Sequence, residues 1–260
     1  MRRSVAALVV VLLAVSAGCS LPFGAGGGQT ATPDDSLWTD ETPPGLSAEE
    51  SRVTNATALT AAHANALVEF GFETDVRTNA TVHQQGRVQQ VERRQQTVVE
   101  PDRAQYVYRV TNPGSRIDGW GNRSVRAIRA EADGQVSYRV RNDSATARQL
   151  SGVATILGPC LDDQFAVENV TRDGDETRIE LRSETVPEQR CVLPHNATEV
   201  SDYEARAVVD QDGRVHRFVV TADYTLHGED GDLRVTFTLV RAQVESFDRP
   251  EWVETALRDS

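Results

Sequence analysis

The sequence contains no lysine, and its charge is strongly one-sided. All 27 basic residues are arginines, against 39 aspartates and glutamates, which gives a formal net charge of -12. A nucleic-acid partner needs a basic surface that neutralises phosphates, and no basic stripe stands out against this acidic background. The composition therefore argues against nucleic-acid binding and indicates a surface that carboxylates keep hydrated.

Recognisable catalytic and metal-binding motifs are also lacking. There is no Gly-x-Ser-x-Gly, no His-Glu-x-x-His and no phosphate-binding glycine loop. The histidines are scattered, without the spacing of a metal site or a nucleophile pair; they are His63, His83, His195, His216 and His227. We therefore predict a protein that is not an enzyme, with no metal site and no cofactor.

The apolar run near the N-terminus, residues 5–15, is shorter than the roughly 20 residues that a membrane-spanning helix needs. Arg2 and Arg3 precede it, and the small residues 16–18 lead from it to Cys19. This order is that of a lipobox, in which the signal peptide, residues 1–18, is removed and Cys19 receives a lipid. A two-chain lipid on this cysteine would hold the protein to a membrane almost permanently.

We therefore expect an exported protein, lipid-anchored on the outer face of the cell membrane. The Arg2-Arg3 pair resembles a twin-arginine signal, which exports folded proteins, so that route and the Sec route both stay open. The membrane, reached through Cys19, is the partner that this segment predicts.

The segment after the lipobox is rich in Gly, Thr, Pro, Asp and Ser. Such a composition cannot bury enough apolar surface to offset the entropy of ordering the chain. Residues 19–48 are therefore predicted to be the lipidated Cys19 and a flexible polar tether. Residues 49–260 show no internal break or repeat and are predicted to form a single half-barrel domain.

Cysteine is scarce, since only Cys160 and Cys191 remain beyond Cys19. In an oxidising compartment a disulfide between these two is the natural prediction. The alternatives are a metal pair or a redox-active dithiol, but the sequence has neither a Cys-x-x-Cys motif nor a neighbouring cluster of histidines.

Alternating hydrophobicity predicts strands over much of the domain. It is clearest in residues 218–226 and 233–239, and it recurs in residues 106–108 and 136–140. One apolar face and one wetted face are typical of antiparallel sheet. Four Asp-Gly pairs are predicted to supply hairpin turns: Asp133-Gly134, Asp173-Gly174, Asp212-Gly213 and Asp230-Gly231.

Two helices are predicted beside these strands. The first follows a cap at Thr54 or Asn55 and carries apolar residues at three- and four-residue spacing as far as Phe70. The second covers residues 146–157 and ends at Gly158-Pro159. Because a one-sided sheet must cover its apolar face, the predicted fold class is α+β, a curved antiparallel β-sheet (half-barrel) with helices packed on its apolar concave face.

Asn-x-Ser/Thr sequons would be presented to a glycosylation system by an exported domain. They begin at Asn55, Asn79, Asn122, Asn142, Asn169 and Asn196. The same tripeptide arises by chance in a sequence rich in Asn, Ser and Thr, so these residues are acceptor candidates for N-glycosylation and no more.

The order of these features resembles the haloarchaeal lipoproteins of unknown function. The resemblance rests on the lipobox, the polar tether, residues 58–63 of the first helix, and the closing segments 212–215 and 249–252. An acidic, lysine-free chain is similar to proteins of extreme halophiles, where molar salt shortens the Debye length to about 3 Å and screens self-repulsion. This resemblance implies no active-site residues.

A helix followed by long strands is more distantly similar to the bacterial Lol-type (LolA-like) lipoprotein carriers and the mycobacterial lipid-carrier lipoproteins. This resemblance implies a non-catalytic binding module that holds a lipid or other apolar ligand on the concave face. The residues expected on that ligand face are Tyr138, Phe218, Tyr224 and Phe237. The alternative is a structural or assembly protein of the archaeal cell envelope that acts through protein–protein contacts.

Overall fold

A computed structural model describes residues 42–84 and 87–258. Two predicted features, the signal peptide and Cys19, lie outside the described residues, as does the tether as far as residue 41. The described chain builds one 13-stranded sheet in which every paired strand is antiparallel to its neighbour.

The strands and helices have the following bounds. The strands are β1 (Leu46–Ser47), β2 (Arg52–Val53), β3 (Phe72–Gln84), β4 (Arg87–Val99), β5 (Gln105–Asn112), β6 (Ser115–Asn122), β7 (Arg126–Ala132), β8 (Gln135–Arg141), β9 (Ala166–Asp173), β10 (Glu176–Ser183), β11 (Ala197–Asp210), β12 (Val215–Leu226) and β13 (Glu229–Arg241). The helices are α1 (Ala56–Phe70), α2 (Ala147–Leu150), α3 (Gly158–Cys160) and α4 (Trp252–Arg258). A 3-10 turn covers Pro101–Arg103, and a π-helical turn covers Val153–Leu157.

The sheet consists of two meanders that meet at one pair of strands. Strands β3 to β8 follow one another in sequence order, as do β9 to β13, and β13 pairs with β3 to join the two sets. In the described part of the chain, β1 and β8 are the two edges of the sheet and do not pair with each other, so it is not closed into a barrel. The predicted α+β fold class is confirmed.

The two faces of the sheet differ in what covers them. We call the face that carries Phe218 and Phe237 the inner face and the opposite one the outer face. Register places Val76 of β3 beside Phe237, which in turn lies beside Phe218. Helix α1 buries Leu59 and Leu67 completely on this inner face. Burial of a leucine contributes about 1.5 to 3 kcal/mol, so these contacts fix the helix on the sheet.

Helix α1 begins where the sequence predicts it. The side chain of Asn55 accepts a hydrogen bond from the backbone N–H of Ala58 at 2.9 Å, so Asn55 is the N-cap. The carbonyl of Gly45 accepts hydrogen bonds from the backbone N–H groups of Thr54 and Asn55. Since Leu46 is only 8% exposed, the folded part of the chain begins before residue 49, inside the predicted tether.

The second predicted helix is broken, contrary to the prediction of one continuous helix over residues 146–157. Helix α2 stops at Leu150, the π-helical turn follows Gly152, and α3 is a separate short segment. Gly152 has a φ of +82°, a left-handed conformation that an α-helix cannot contain. The apolar stripe is nevertheless buried on the inner face, through Leu150, Val153 and Leu157.

The Asp-Gly turns are confirmed in two places out of the four predicted. Asp133-Gly134 and Asp212-Gly213 lie between consecutive strands. Asp173 is the last residue of β9, so the turn that follows it is formed by Gly174 and Asp175. Asp230-Gly231 lies inside β13 instead. The hairpin between β12 and β13 turns at His227 and Gly228, which have φ values of +54° and +82°. Two residues with positive φ are the requirement of a type I′ turn, and His227-Gly228 meets it.

Helix α4 and the outer face of β6 and β7 form a second small core. Trp120 and Ala127 of the sheet pack with Val253 and Ala256 of the helix, and all four are at most 4% exposed. On either side of Trp120, Gly119 and Gly121 face the inner side of the sheet. The ring of Tyr108 lies against Gly119, and the ring of Tyr106 lies against Gly121. Helix α4 was not among the predicted helices.

The structure contains the predicted disulfide between Cys160 and Cys191, with their Cα atoms 4.5 Å apart. It joins α3 to the loop before β11.

Among residues 42–84 and 87–258, none of the helices has both the length and the apolar character that crossing a bilayer would require.

Candidate ligand face and carboxylate–histidine cluster

The four residues expected on the ligand face do not share one surface. Phe218, Tyr224 and Phe237 lie together on the inner face and are 0, 3 and 0% exposed. Tyr138 lies on the outer face, because its register partner is Arg129, which pairs with Asp118. The period-two pattern predicted β8 correctly but could not show which face of the sheet Tyr138 occupies.

The inner face is filled where these three aromatic residues lie. The ring of His63 contacts Phe237 edge to face, with centroids 5.7 Å apart. Phe165 packs against Phe218 with ring centroids 6.0 Å apart. This part of the sheet is a core covered by helices and loops, and not a cavity.

The inner face continues beyond the helices onto the other meander. We call its partly exposed apolar residues there the open strip; they are Val76, Ala80, Val91, Ile117, Ile128 and Ala130. Val91 is 42% exposed and the others are half-buried. Arg93 and Gln95 lie on the same face of β4 as Val91. An apolar surface with a cationic neighbour is thus accessible on β3 to β7.

Four grooves described by the structure have volumes of about 350, 450, 630 and 670 Å³. The largest lies beside α1 and α3 and is lined by polar groups such as Thr57, Asp162 and Glu188. The other three lie over the outer face and include charged residues such as Asp118 and Arg234. None of these four is lined by Phe218, Tyr224 or Phe237, so they are not the predicted ligand site.

The outer face carries a buried carboxylate within an arginine cluster. Asp118 accepts hydrogen bonds from Arg109 at 2.8 Å and Arg129 at 3.2 Å, and Arg116 is 2.8 Å away. Burial by itself raises the pKa of Asp118, but the hydrogen bonds from Arg116 and Arg109 outweigh it and hold the pKa below its usual value. The cluster ties β5, β6 and β7 together.

A second cluster lies at the ends of β10, β11 and β12. It consists of Glu176, Asp210 and His216, each of which offers one ligand atom, and these atoms lie within 4.8 Å of one another. His216 Nε2 is 2.8 Å from Asp210 Oδ2 and 3.9 Å from Glu176 Oε1. Burial raises the pKa of Asp210, but the His216 hydrogen bond and the Arg214 N–H outweigh it, so the pKa lies below its usual value.

Histidine spacing alone did not reveal this cluster. Asp210 and His216 flank the Asp212-Gly213 turn, and a hairpin brings residues on either side of its turn together. The signal was therefore present in the sequence. Glu176 could not be found in this way, since it comes from another hairpin.

The sequon asparagines lie at the surface with one exception. Asn55, Asn79, Asn142, Asn169 and Asn196 are exposed. Asn122 is half-buried, and its Oδ1 accepts hydrogen bonds from the backbone N–H groups of Ser124 at 2.9 Å and Val125 at 3.0 Å. Glycosylation stays a prediction for all six.

No protein-family model matches the chain, and no curated protein matches it. Among solved structures it is similar to a DUF1329 family protein from Desulfovibrio piger, with 9% identity and a TM-score of 0.26 over 70% of this chain and 91% of that one. A putative outer membrane lipoprotein-sorting protein domain from Vibrio parahaemolyticus shows 7% identity and a TM-score of 0.29, over 76% of this chain and 97% of that one. A LolA superfamily protein from Nitrosomonas europaea shows 11% identity and a TM-score of 0.26, over 76% of this chain and 96% of that one. The similarity to all three structures is distant.

Proposed function

We propose that this protein is a non-catalytic binding module that holds a lipid or other apolar ligand on the open strip. In this proposal a lipid on Cys19 anchors the protein to the outer face of the cell membrane, after export by the twin-arginine or Sec route. The observation that carries the proposal is the partly exposed apolar surface on β3 to β7, beside a core that is otherwise closed.

The composition of the open strip supports an extended apolar ligand. Val76 lies in one row of register with Ile117 and Ala130, and Ala80 pairs directly with Val91. Covering such a surface contributes about 25 cal/mol for each Å² removed from water. A flexible acyl chain could lie across these strands without a deep, preformed cavity.

A positively charged side chain beside the open strip indicates that the polar end of the ligand is anionic. Arg93 is exposed on the same face as Val91, and the structure gives it no ion pair within the described residues. A guanidinium binds carboxylates and phosphates by two parallel hydrogen bonds. The ligand class that fits both features is an amphiphile with an anionic head, such as a fatty acid or a phospholipid.

Two valines of β4 provide a test with a matched control. Val91 is on the inner face, 42% exposed, and Val88 is on the outer face, 62% exposed. Because both side chains are already exposed, glutamate at either position should leave the fold intact. We expect the purified full chain to bind the fluorescent fatty acid cis-parinaric acid, Val91→Glu to weaken that binding at least about tenfold, and Val88→Glu to leave it unchanged.

If both variants bound the probe as tightly as the unsubstituted chain, the probe would bind elsewhere, and the open strip would not be the ligand site. Absence of probe binding, together with a protein free of extractable lipid, would overturn the ligand itself. The anchor is tested separately by the intact mass of the membrane-extracted protein. We expect a chain without residues 1–18 that carries a lipid and needs detergent for release.

The filled inner face around Phe218 and Phe237 favours a second candidate function. A domain whose inner face is filled in this region could serve as a structural or assembly component of the cell envelope through protein–protein contacts. Cross-linking on intact cells separates the two, since a ligand carrier should capture lipid and an envelope component should capture a defined protein partner.

A further inference from the structure

Glu176, Asp210 and His216 come from three neighbouring strands and meet at the end of the sheet that carries the turn between β11 and β12. Their side chains are 47, 4 and 19% exposed, so the site opens to solvent on the Glu176 side. The cluster is distinct from the open strip and plays no part in the proposed ligand binding.

Asp210 is held in one orientation by the turn that follows it. Its Oδ1 accepts hydrogen bonds from the backbone N–H groups of Asp212 at 3.0 Å and Arg214 at 2.8 Å. Those contacts direct Oδ2 toward His216. A carboxylate fixed in this way by backbone donors loses little freedom when a ligand binds, which is the support that the outer shell of a metal site provides.

A β-bulge supplies the histidine. Val208 pairs with Arg217 while Val209 pairs with Val215, so His216 is the extra residue on β12. The bulge lets Val215 stay fully buried while the next side chain, His216, reaches Asp210. Bulges re-aim side chains next to functional sites, and this one brings an imidazole between two carboxylates.

We propose that Glu176, Asp210 and His216 form a binding site for Zn²⁺. Zinc takes histidine and carboxylate ligands at about 2.0 to 2.2 Å, which puts two ligand atoms of a tetrahedral site roughly 3.3 to 3.6 Å apart. His216 Nε2 is 2.8 Å from Asp210 Oδ2 and 3.9 Å from Glu176 Oε1, one distance below that range and one above it. Water would complete the coordination, and the imidazole favours Zn²⁺ over Mg²⁺ and Ca²⁺, which prefer oxygen ligands.

Two arginines now occupy positions that the ion would compete for. Arg178 donates to Glu176 at 2.9 Å, and Arg214 Nη1 lies 3.5 Å from Asp210 Oδ2. The Arg178 side chain is 39% exposed and Arg214 also pairs with Asp212, so each can give up its contact with the cluster when the ion binds. Neutral His216 would coordinate through Nε2 and carry its proton on Nδ1. The bound ion would cross-link β10, β11 and β12.

The test is a titration of the full chain, freed of metal by a chelator, with ZnCl₂ by isothermal titration calorimetry. We expect one saturable site that His216→Gln and Glu176→Gln each weaken at least about tenfold, an effect that even outer-shell partners of a metal can have. His195→Gln is the matched control, because His195 is exposed in a loop outside the cluster, and it should bind like the unsubstituted chain.

Thermal unfolding provides the second measurement. Zinc should raise the unfolding temperature of the unsubstituted chain and of His195→Gln, but not that of His216→Gln. MgCl₂ at the same concentration should not displace zinc. The proposal is overturned if no saturable binding is seen, or if His216→Gln binds zinc as tightly as the unsubstituted chain.

Discussion

The Nδ1 atom of His63 accepts a hydrogen bond from the backbone N–H of Val215, 2.9 Å away, where α1 meets the start of β12. The other ring nitrogen, Nε2, lies 3.2 Å from the carbonyl oxygen of Ser151. A neutral ring that donates from Nε2 therefore satisfies both partners at once. Burial lowers the pKa of His63 to about 4, which keeps the ring in this neutral form at ordinary pH.

Stability should fall as the pH drops from about 6.5 towards 4. The unfolded chain protonates His63 near its ordinary pKa of 6.5, whereas the folded chain resists protonation until about 4. The unfolded state thus binds more protons in this window, and about 3 kcal/mol of unfolding free energy should be lost across it. Urea unfolding at a series of pH values measures the loss.

The control for His63 is His63→Gln, because a glutamine amide can also accept and donate a hydrogen bond but does not titrate. Carboxylates contribute to acid sensitivity in both proteins, so the difference between them isolates the imidazole. A variant whose stability falls as steeply as that of the unsubstituted chain would show that His63 is not responsible.

The disulfide should contribute strongly to stability. Cys160 and Cys191 are 31 residues apart in sequence, and closing a loop of that size contributes about 3 to 4 kcal/mol in the chain-entropy model. We expect reductant to lower the free energy of unfolding by this amount in urea titrations. The double variant Cys160→Ser and Cys191→Ser should start at the lower value and not respond to reductant. Equal stability with and without reductant in the unsubstituted chain would contradict the prediction.

Periodicity predicted the sheet well because burial on one face is a local property of each strand. Leu233, Val235 and Phe237 alternate with polar residues, and all three are at most 5% exposed. Periodicity could not assign Tyr138 to one face of the sheet, because the face of a whole strand depends on register with its neighbours. It also missed the break at Gly152, where backbone conformation outweighs a continuous apolar stripe.

The candidate sites were less predictable than the fold. The open strip depends on where the helices stop covering the sheet, which no single segment specifies. The Glu176–Asp210–His216 cluster needs a turn, a bulge and a strand from a second hairpin, and only the turn was visible in the sequence. The disulfide was predictable because eliminating Cys19 left a single pair.

A side chain at the position of Gly152 should destabilise the fold. The φ of Gly152 is +82°, and a Cβ atom there would lie 3.0 Å from the ring of Phe237, which is fully buried. Gly152→Ala therefore adds a packing clash to the backbone strain, and the loss of unfolding free energy should reach about 2 to 4 kcal/mol. Chemical unfolding monitored by circular dichroism measures it.

A substitution at Gly174 is the control that separates backbone strain from the packing clash. Gly174 also has a positive φ, +61°, but a Cβ atom there would meet nothing within 4 Å. Gly174→Ala should lose only the backbone part, about 1 kcal/mol. If the two substitutions lowered the free energy of unfolding equally, a clash of the new methyl group with Phe237 would not contribute to the loss.

The outer-face core under α4 should unfold locally without disturbing the main core. Val253 is fully buried there, and its cluster contains Trp120, Ala127 and Ala256 but none of the main-core residues. Val253→Ala removes two methyl groups, worth about 2 kcal/mol, so hydrogen exchange should speed up in α4 while β11 to β13 keep their protection. Arg258→Ala, at an exposed position at the end of the same helix, is the control and should change exchange little. Faster exchange throughout the sheet in Val253→Ala would mean that the two cores unfold as one cooperative unit.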